Sequence, residues 1–306
     1  MLIDELPGWL PAWCVDHLGD APVEVLFERR SISAVFGLRL AGGRDVVVKA
    51  REDDGRAEAC VAAQEWLADR GFPCARPITP PVVSGAVVVH AEESRPGGEV
   101  LHGTSLAVAT RYAAVFARIM AELTDLTVAP PLPNPRWARW DHTDPGLWPA
   151  IGFLDERDQS VVPDFVVDAA ARARKRLLAT DLPCVLGHAD FEAQNLRWRH
   201  DEVWAVHDWD SLAWQPEAAL VGAACGTFAN VSPPILAPVE SSAEFLAVYQ
   251  DRRGRRFTEE EQEIAWAASL WPAAHNARWE ALHDDPPVAI EHVRTQAAER
   301  LRRANA

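Results

Sequence analysis

The chain is poor in lysine, tyrosine and methionine. Of its thirty basic residues only Lys49 and Lys175 are lysines, and two tyrosines and two methionines stand against thirteen tryptophans. Five cysteines (Cys14, Cys60, Cys74, Cys184, Cys225) are scattered and without CxxC spacing, which argues against a zinc site and predicts reduced thiols in a cytoplasmic protein. No apolar run reaches the roughly 18 residues that span a bilayer, and the start, Met1-Leu2-Ile3-Asp4-Glu5, lacks the basic n-region of a signal peptide. Excess positive charge is missing too: 45 acids outweigh 30 bases for a net charge of −15, which argues against nucleic acid and against an anionic membrane as partners. The absence of G-x-x-x-x-G-K-[ST] excludes a P-loop enzyme. The absence of D-F-G and A-P-E leaves a protein kinase without support.

What is there is ordinary for a globular protein, 48% hydrophobic and 25% charged over 306 residues, enough for a large core and one to two domains. Val23 to Phe27 and Ala34 to Leu40 read as short strands, and Gly42-Gly43 turns the second into Val46 to Lys49. Glu58 to Arg70 reads as a helix closed by Gly71 and Pro73. Val82-Val83 and Ala86 to His90 form a further strand pair. Arg95-Pro96-Gly97-Gly98 then breaks the pattern as an interdomain hinge. Leu106 to Leu123 and Asp164 to Leu178 are amphipathic helices, separated by a proline-rich loop from Ala129 to Pro135. Helices resume near Pro216, Ser241, Thr258 and Pro287. Ser241 with Glu244 and Thr258 with Glu261 read as capping boxes, and Pro272 should kink the helix that starts at Thr258. The pattern predicts an α+β protein: a β-rich lobe over residues 1–92 and a larger, mostly helical lobe over 93–306.

The chemistry is concentrated in His188-Ala189-Asp190-Phe191-Glu192-Ala193-Gln194-Asn195, followed by Val206-His207-Asp208-Trp209-Asp210. H-x-D-x-x-x-x-N and then a strand ending in Asp is a phosphoryl-transfer layout. Such transfer passes through a loose transition state, so catalysis is mainly positioning and neutralisation of charge. Asp190 is placed to orient an acceptor hydroxyl and take its proton. Asn195 would bind a metal through its amide oxygen, and Asp208 would bridge Mg²⁺ to the phosphates, since a hard cation seeks carboxylate oxygens. Asp210 either binds or tunes the second metal or faces solvent. His188 supports the loop. Lys49, a rare lysine ending the strand Asp45-Val46-Val47-Val48-Lys49, suits a point charge on phosphate and should pair with a helix acid, Glu58 or Glu65, with Glu58 favoured. Ser31 and Ser33, in Arg29-Arg30-Ser31-Ile32-Ser33-Ala34, occupy the place of a phosphate-covering turn. Trp266, Trp271 and Trp279, with His275, Asn276 and Arg278 between them, form either an aromatic wall for substrate or part of the core.

These residues resemble the aminoglycoside phosphotransferase/choline kinase superfamily over most of the chain. The resemblance rests on Lys49 and a helix Glu, the Pro-Gly-Gly hinge, His188-Ala189-Asp190 with Asn195, and Asp208-Trp209-Asp210. Members read H-G-D-x-x-x-x-N and then I-D-W or V-D-W. The resemblance implies a bilobal protein-kinase-like fold, ATP or GTP as phosphoryl donor with Mg²⁺, and an acceptor pocket formed by the C-terminal helices. Two positions depart. Ala189 replaces the usual Gly, which is tolerable only outside the left-handed region. Where many relatives carry G-D-P-x-x-D-L, this chain reads Gln215-Pro216-Glu217-Ala218-Ala219-Leu220, without the second Asp, which distances it from the best-known antibiotic kinases.

The acceptor implied is a small-molecule hydroxyl. From Glu93 onward 31 acids face 21 bases, a field that would steer a cationic acceptor such as an aminoglycoside-like antibiotic. The alternatives are a metabolite such as an amino sugar or amino alcohol, or a degenerate fold that binds nucleotide or ligand without turnover.

Overall fold

The computed structural model describes residues 6–30, 33–128, 132 and 134–306. The chain divides into two compact units: Met1–Gly98 with Trp204–Asp210, and Glu99–Val203 with Ser211–Ala306. The expected division after residue 92 falls inside a strand instead, and the chain leaves the first unit at Gly98, where Gly97 and Gly98 have φ of +89° and +77°. The return of seven residues, Trp204–Asp210, to the first unit was not anticipated.

The first unit holds helix α1 (Leu10–Leu18), strands β1 (Pro22–Arg30), β2 (Ala34–Leu40) and β3 (Asp45–Glu52), helix α2 (Ala57–Asp69) and strands β4 (Val82–Ser84) and β5 (Val87–Glu93). The strands form one antiparallel sheet in the order β1-β2-β3-β5-β4. Side chains alternate across a sheet. Phe36, Leu38 and Leu40 of β2, Val46, Val48 and Ala50 of β3, and Val89 and Ala91 of β5 therefore share one face. Leu10, Trp13 and Cys14 of α1 pack onto that face, a helix that the composition of Trp9-Leu10-Pro11 concealed. The opposite face carries Lys49 and Arg51 of β3 with His90 and Glu92 of β5, all buried. Trp204–Asp210 is tied to this unit where Val206 N–H donates to the Pro73 carbonyl at 2.7 Å.

The second unit is mainly helical: α3 (Leu106–Leu123), the short α4 (Gly152–Asp155), α5 (Asp164–Leu178), α6 (Glu217–Thr227), α7 (Val239–Arg253), α8 (Glu259–His283) and α9 (Val288–Arg303). Strand β6 (Cys184–His188) leads into the motif loop, β7 (Leu196–Arg199) leaves it, β8 (Glu202–Val206) straddles the boundary between units, and β9 (Leu212–Pro216) pairs antiparallel with β6. Helix α8 starts in the capping box expected at Thr258 and Glu261 and runs on through Pro272. Helix α7 departs from expectation. It begins two residues before Ser241, after Pro238, and the Ser241 hydroxyl donates to the Thr104 carbonyl instead of capping.

Helices α6 and α8 approach backbone to backbone. A Cβ on Gly222 would collide with the Ala265 carbonyl, and one on Gly226 would lie 2.6 Å from the Ser269 carbonyl oxygen. These glycines, one turn apart, set the depth at which the two helices pack. All five cysteines are free. Among the described residues no helix is long and apolar enough to cross a membrane.

Candidate active site

In the first unit, the polar face of the sheet gathers a charge cluster. Lys49 Nζ meets Glu92 Oε2 at 3.1 Å, and Gln64 of α2 donates to the same oxygen at 2.7 Å. Glu92 stands opposite Val47 on β5, so it is the diagonal neighbour of Lys49 on one face of the sheet. The expected helix acids are elsewhere: Glu58 and Glu65 both project into solvent, and the residue of α2 that reaches the cluster is Gln64. Burial would lower the Lys49 ammonium, but Glu92, Asp210 and Asp208 hold it above its ordinary value, so it stays charged.

Asp208 and Asp210 follow β8 and have different surroundings. Asp208 is half-buried and sits at φ +63°, a left-handed conformation that a non-glycine residue seldom adopts and that collects at functional sites. Asp210 is 7% exposed and lies 3.2 Å from Arg51 Nη1. Its backbone carbonyl accepts from Arg56 Nη2 at 2.9 Å. Burial would raise its carboxyl, yet Lys49, Arg51, His90 and Arg56 hold it down at about 2. Asp210 therefore does not face solvent, one of the roles expected of it; its carboxylate is the counter-ion of Arg51. Trp209 between the two acids is buried edge-on against Phe72, with ring centres 5.7 Å apart, and pins the turn.

In the second unit, β6 delivers His188, and the turn after it carries Asp190. His188 is buried, and its Nδ1 accepts the Asp190 N–H at 3.2 Å, the loop-supporting role expected. The Asn195 amide donates to both the carbonyl and Oδ2 of Asp190, each at 3.0 Å. Only the nitrogen end of an amide can donate, so these two bonds fix the amide and turn its oxygen away from Asp190, the orientation a cation ligand requires. Ala189 is not among the positive-φ residues, so a Cβ is accommodated where relatives carry Gly.

Asp190 borders a cavity that also has Ala189, Glu192, Gln215, Trp140 and Trp271 in its wall. Of the three tryptophans singled out on the C-terminal stretch, Trp271 lines it, together with His275 and Asn276. Trp266 instead lies beneath the guanidinium groups of Arg300 and Arg303, and Trp279 stacks on His283 at 4.2 Å. Sequence reasoning missed Glu92, Arg51, Glu192 and the tryptophans of the segment after the proline-rich loop. A buried acid two residues past a strand histidine was the available signal for Glu92.

Ser33 lies half-buried at the start of β2, while Ser31 is outside the described residues. Among the described residues no three His, Cys, Asp or Glu side chains converge to hold a metal. Asp208 in the first unit offers carboxylate oxygen and Asn195 in the second offers amide oxygen, each a hard donor of the type that Mg²⁺ takes.

A strand lysine held by a buried acid, an Asp locked to an Asn five residues on, and a second Asp in a strained turn define a kinase-like phosphotransferase. The family comparison agrees: the model of the phosphotransferase enzyme family matches residues 28–234, and the chain belongs to that family. No curated protein sequence matches the chain. Among solved structures it is similar to the amicoumacin kinase hAmiN in complex with AMP-PNP, Ca²⁺ and Ami (12% identity, 91% of this chain and 88% of that one, TM-score 0.63). It is also similar to a thermostable mutant of aminoglycoside phosphotransferase APH(4)-Ia in ternary complex with ADP and hygromycin B (15% identity, 97% and 99%, TM-score 0.55). A third is the spectinomycin phosphotransferase APH(9)-Ia in complex with ADP and spectinomycin (12% identity, 97% and 93%, TM-score 0.54). At these identities the likeness is one of fold.

Proposed function

We propose that the protein transfers the γ-phosphoryl group of Mg²⁺-bound ATP or GTP to a hydroxyl of a small molecule, with Asp190 as the residue that takes the hydroxyl proton. The observation that carries this reading is Asp190, locked to Asn195 and set in the wall of a cavity that α6 and α8 help to line. The acceptor hydroxyl lies against the Asp190 carboxylate. As the new O–P bond forms, the bond from the γ-phosphorus to the leaving diphosphate breaks and the proton passes to Asp190. Asp208 and Asn195 are the residues that would each offer an oxygen ligand to Mg²⁺, which when bound would neutralise phosphate charge. Lys49, kept charged and fixed by Glu92, presents its ammonium to the α/β-phosphates. Ser33, just before β2, would contact the phosphates.

Replacing Asp190 with Ala tests the assignment. Turnover should fall by about 10²–10⁴-fold, the contribution of a positioned base, while nucleotide affinity in a titration with Mg·ATP stays within about twofold, or ~0.4 kcal/mol. A variant that keeps more than a few per cent of kcat would show that another group takes the proton.

A further inference from the structure

Strand β1 does not keep its alternation. Val25 stands opposite Leu38 and packs against the core with α1, so a regular strand would send Phe27 to the same side. The register shifts between the two, and Phe27 pairs instead with Gly37. A bulge of this kind re-aims the side chain that follows it. Phe27 therefore stands on the face that carries Lys49, Arg51, His90 and Glu92.

The glycine opposite lets the ring lie down on the sheet. A Cβ on Gly37 would collide with ring carbons of Phe27, so the phenyl group occupies the place a side chain would take. Glycine inside a strand weakens it and marks a close approach; here the approaching group is this ring. Phe27 nevertheless remains 39% exposed.

Register relates Phe27 to Lys49. Phe27, Gly37 and Val47 form one cross-strand row, and Arg29, Val35 and Lys49 form the next. With strands ~4.8 Å apart and a rise of ~3.4 Å per residue, the Phe27 and Lys49 backbones are roughly 12 Å apart on one face. An extended nucleoside triphosphate covers that distance between its base and its phosphates. The two ends of the face also differ as the two ends of a nucleotide do. The Lys49 end is charged, and Gln64 of α2 reaches over it to Glu92. The row at the other end is apolar and finishes in an exposed aromatic ring.

Resting on the phosphotransfer reading above, we infer that Phe27 is the platform on which the purine base of the donor nucleotide stacks, its ring set by the bulge in β1 and by Gly37. Lys49, two strands away, takes the phosphates of the same molecule. A purine offers a flat face to an aromatic ring, and the loss of one such stack corresponds to about 5–150-fold in affinity.

Calorimetric titration of the full chain with Mg·AMP-PNP tests this. Phe27→Ala and Phe27→Leu should weaken binding by at least ~5-fold. Phe27→Trp, which keeps an aromatic face, should stay within about twofold of wild type. Leucine still covers Gly37 but has no π face, so the contrast between Leu and Trp separates stacking from packing. Gly37→Ala leaves Phe27 in the chain but drives its ring from its place, and should weaken binding as well. Phe27→Ala or Phe27→Leu at wild-type affinity overturns the inference, and so does an equal loss in Phe27→Leu and Phe27→Trp. Lys49→Ala serves as reference: if it loses the nucleotide while Phe27→Ala keeps it, the phosphotransfer reading stands without this platform. A Phe27-dependent affinity in a protein that transfers no phosphoryl group leaves the platform standing and counts against the transfer. Wild type that binds no Mg·AMP-PNP at millimolar concentration overturns both.

Discussion

Asp210 and Asp208 are separated by one residue, and the spacing alone made both of them metal-ligand candidates. What distinguishes them is a strand about 160 residues earlier, which the spacing could not reveal. Arg51 of β3 and Arg56 at the start of α2 close on Asp210, while Asp208 sits half-buried with a left-handed backbone. The same holds for Lys49. Its rarity and its strand were legible, but its partner depended on the register that sets Glu92 diagonal to it. Asp210→Asn should therefore destabilise the protein by roughly 3 kcal/mol at neutral pH, because it leaves Arg51 buried beside an uncompensated space. The pH dependence has a definite sign. The folded carboxyl sits at about 2, against roughly 3.9 when unfolded. Its stabilisation is complete above the unfolded value and is lost as pH falls from about 4 towards about 2. Denaturant titrations of both proteins across that range should show the gap between them closing as pH drops; a gap independent of pH would remove Asp210 from the ion pair.

At the level of elements, ends that rest on local chemistry were readable and contacts that rest on distant chain were not. The Thr258–Glu261 box is a matter of four neighbouring residues, and it forms with bonds of 3.2 and 2.8 Å. Ser241 with Glu244 has the same spacing, but Pro238 starts the helix earlier and the Ser241 hydroxyl is drawn to Thr104. Gly222 and Gly226 look in the sequence like weak points of a helix. In the folded chain they are sites at which α8 touches α6, and both helices line the cavity: Ala219, Ala223 and Thr227 from one, Ala268, Trp271 and His275 from the other. Gly222→Ala should therefore destabilise rather than follow the usual gain in helix propensity. Forcing a Cβ against the Ala265 carbonyl costs about 1–3 kcal/mol and should lower the thermal midpoint by roughly 5 °C. An unchanged or raised midpoint by calorimetry would mean that the helices separate without cost and that the wall spacing is soft.

On the scale of the whole molecule, the division after residue 92 came from a change of composition, and a change of composition follows the chain. The units do not: Trp204–Asp210 belongs with the first, although more than a hundred residues of the second precede it. Nothing in the pattern of a strand ending in Asp reports which unit its end will join; the hydrogen bond from Val206 to Pro73 ties it to the first. The consequence is that Asp208, a proposed ligand of Mg²⁺, is built into the unit that carries Lys49, so metal-dependent nucleotide binding should stabilise the fold measurably. A ligand that binds only the folded protein contributes about 2.7 kcal/mol at a hundredfold excess over its Kd, enough to raise the midpoint by roughly 5 °C in a chain of this size. The thirteen tryptophans provide an intrinsic fluorescence signal for the transition. Wild type with Mg·ATP should show the rise, wild type with ATP and EDTA should show little of it, and Asp208→Ala should show none under either condition. The same upward shift in Asp208→Ala as in wild type would place the metal on other residues, since the variant retains Lys49 and Glu92 and lacks only the carboxylate assigned to the ion.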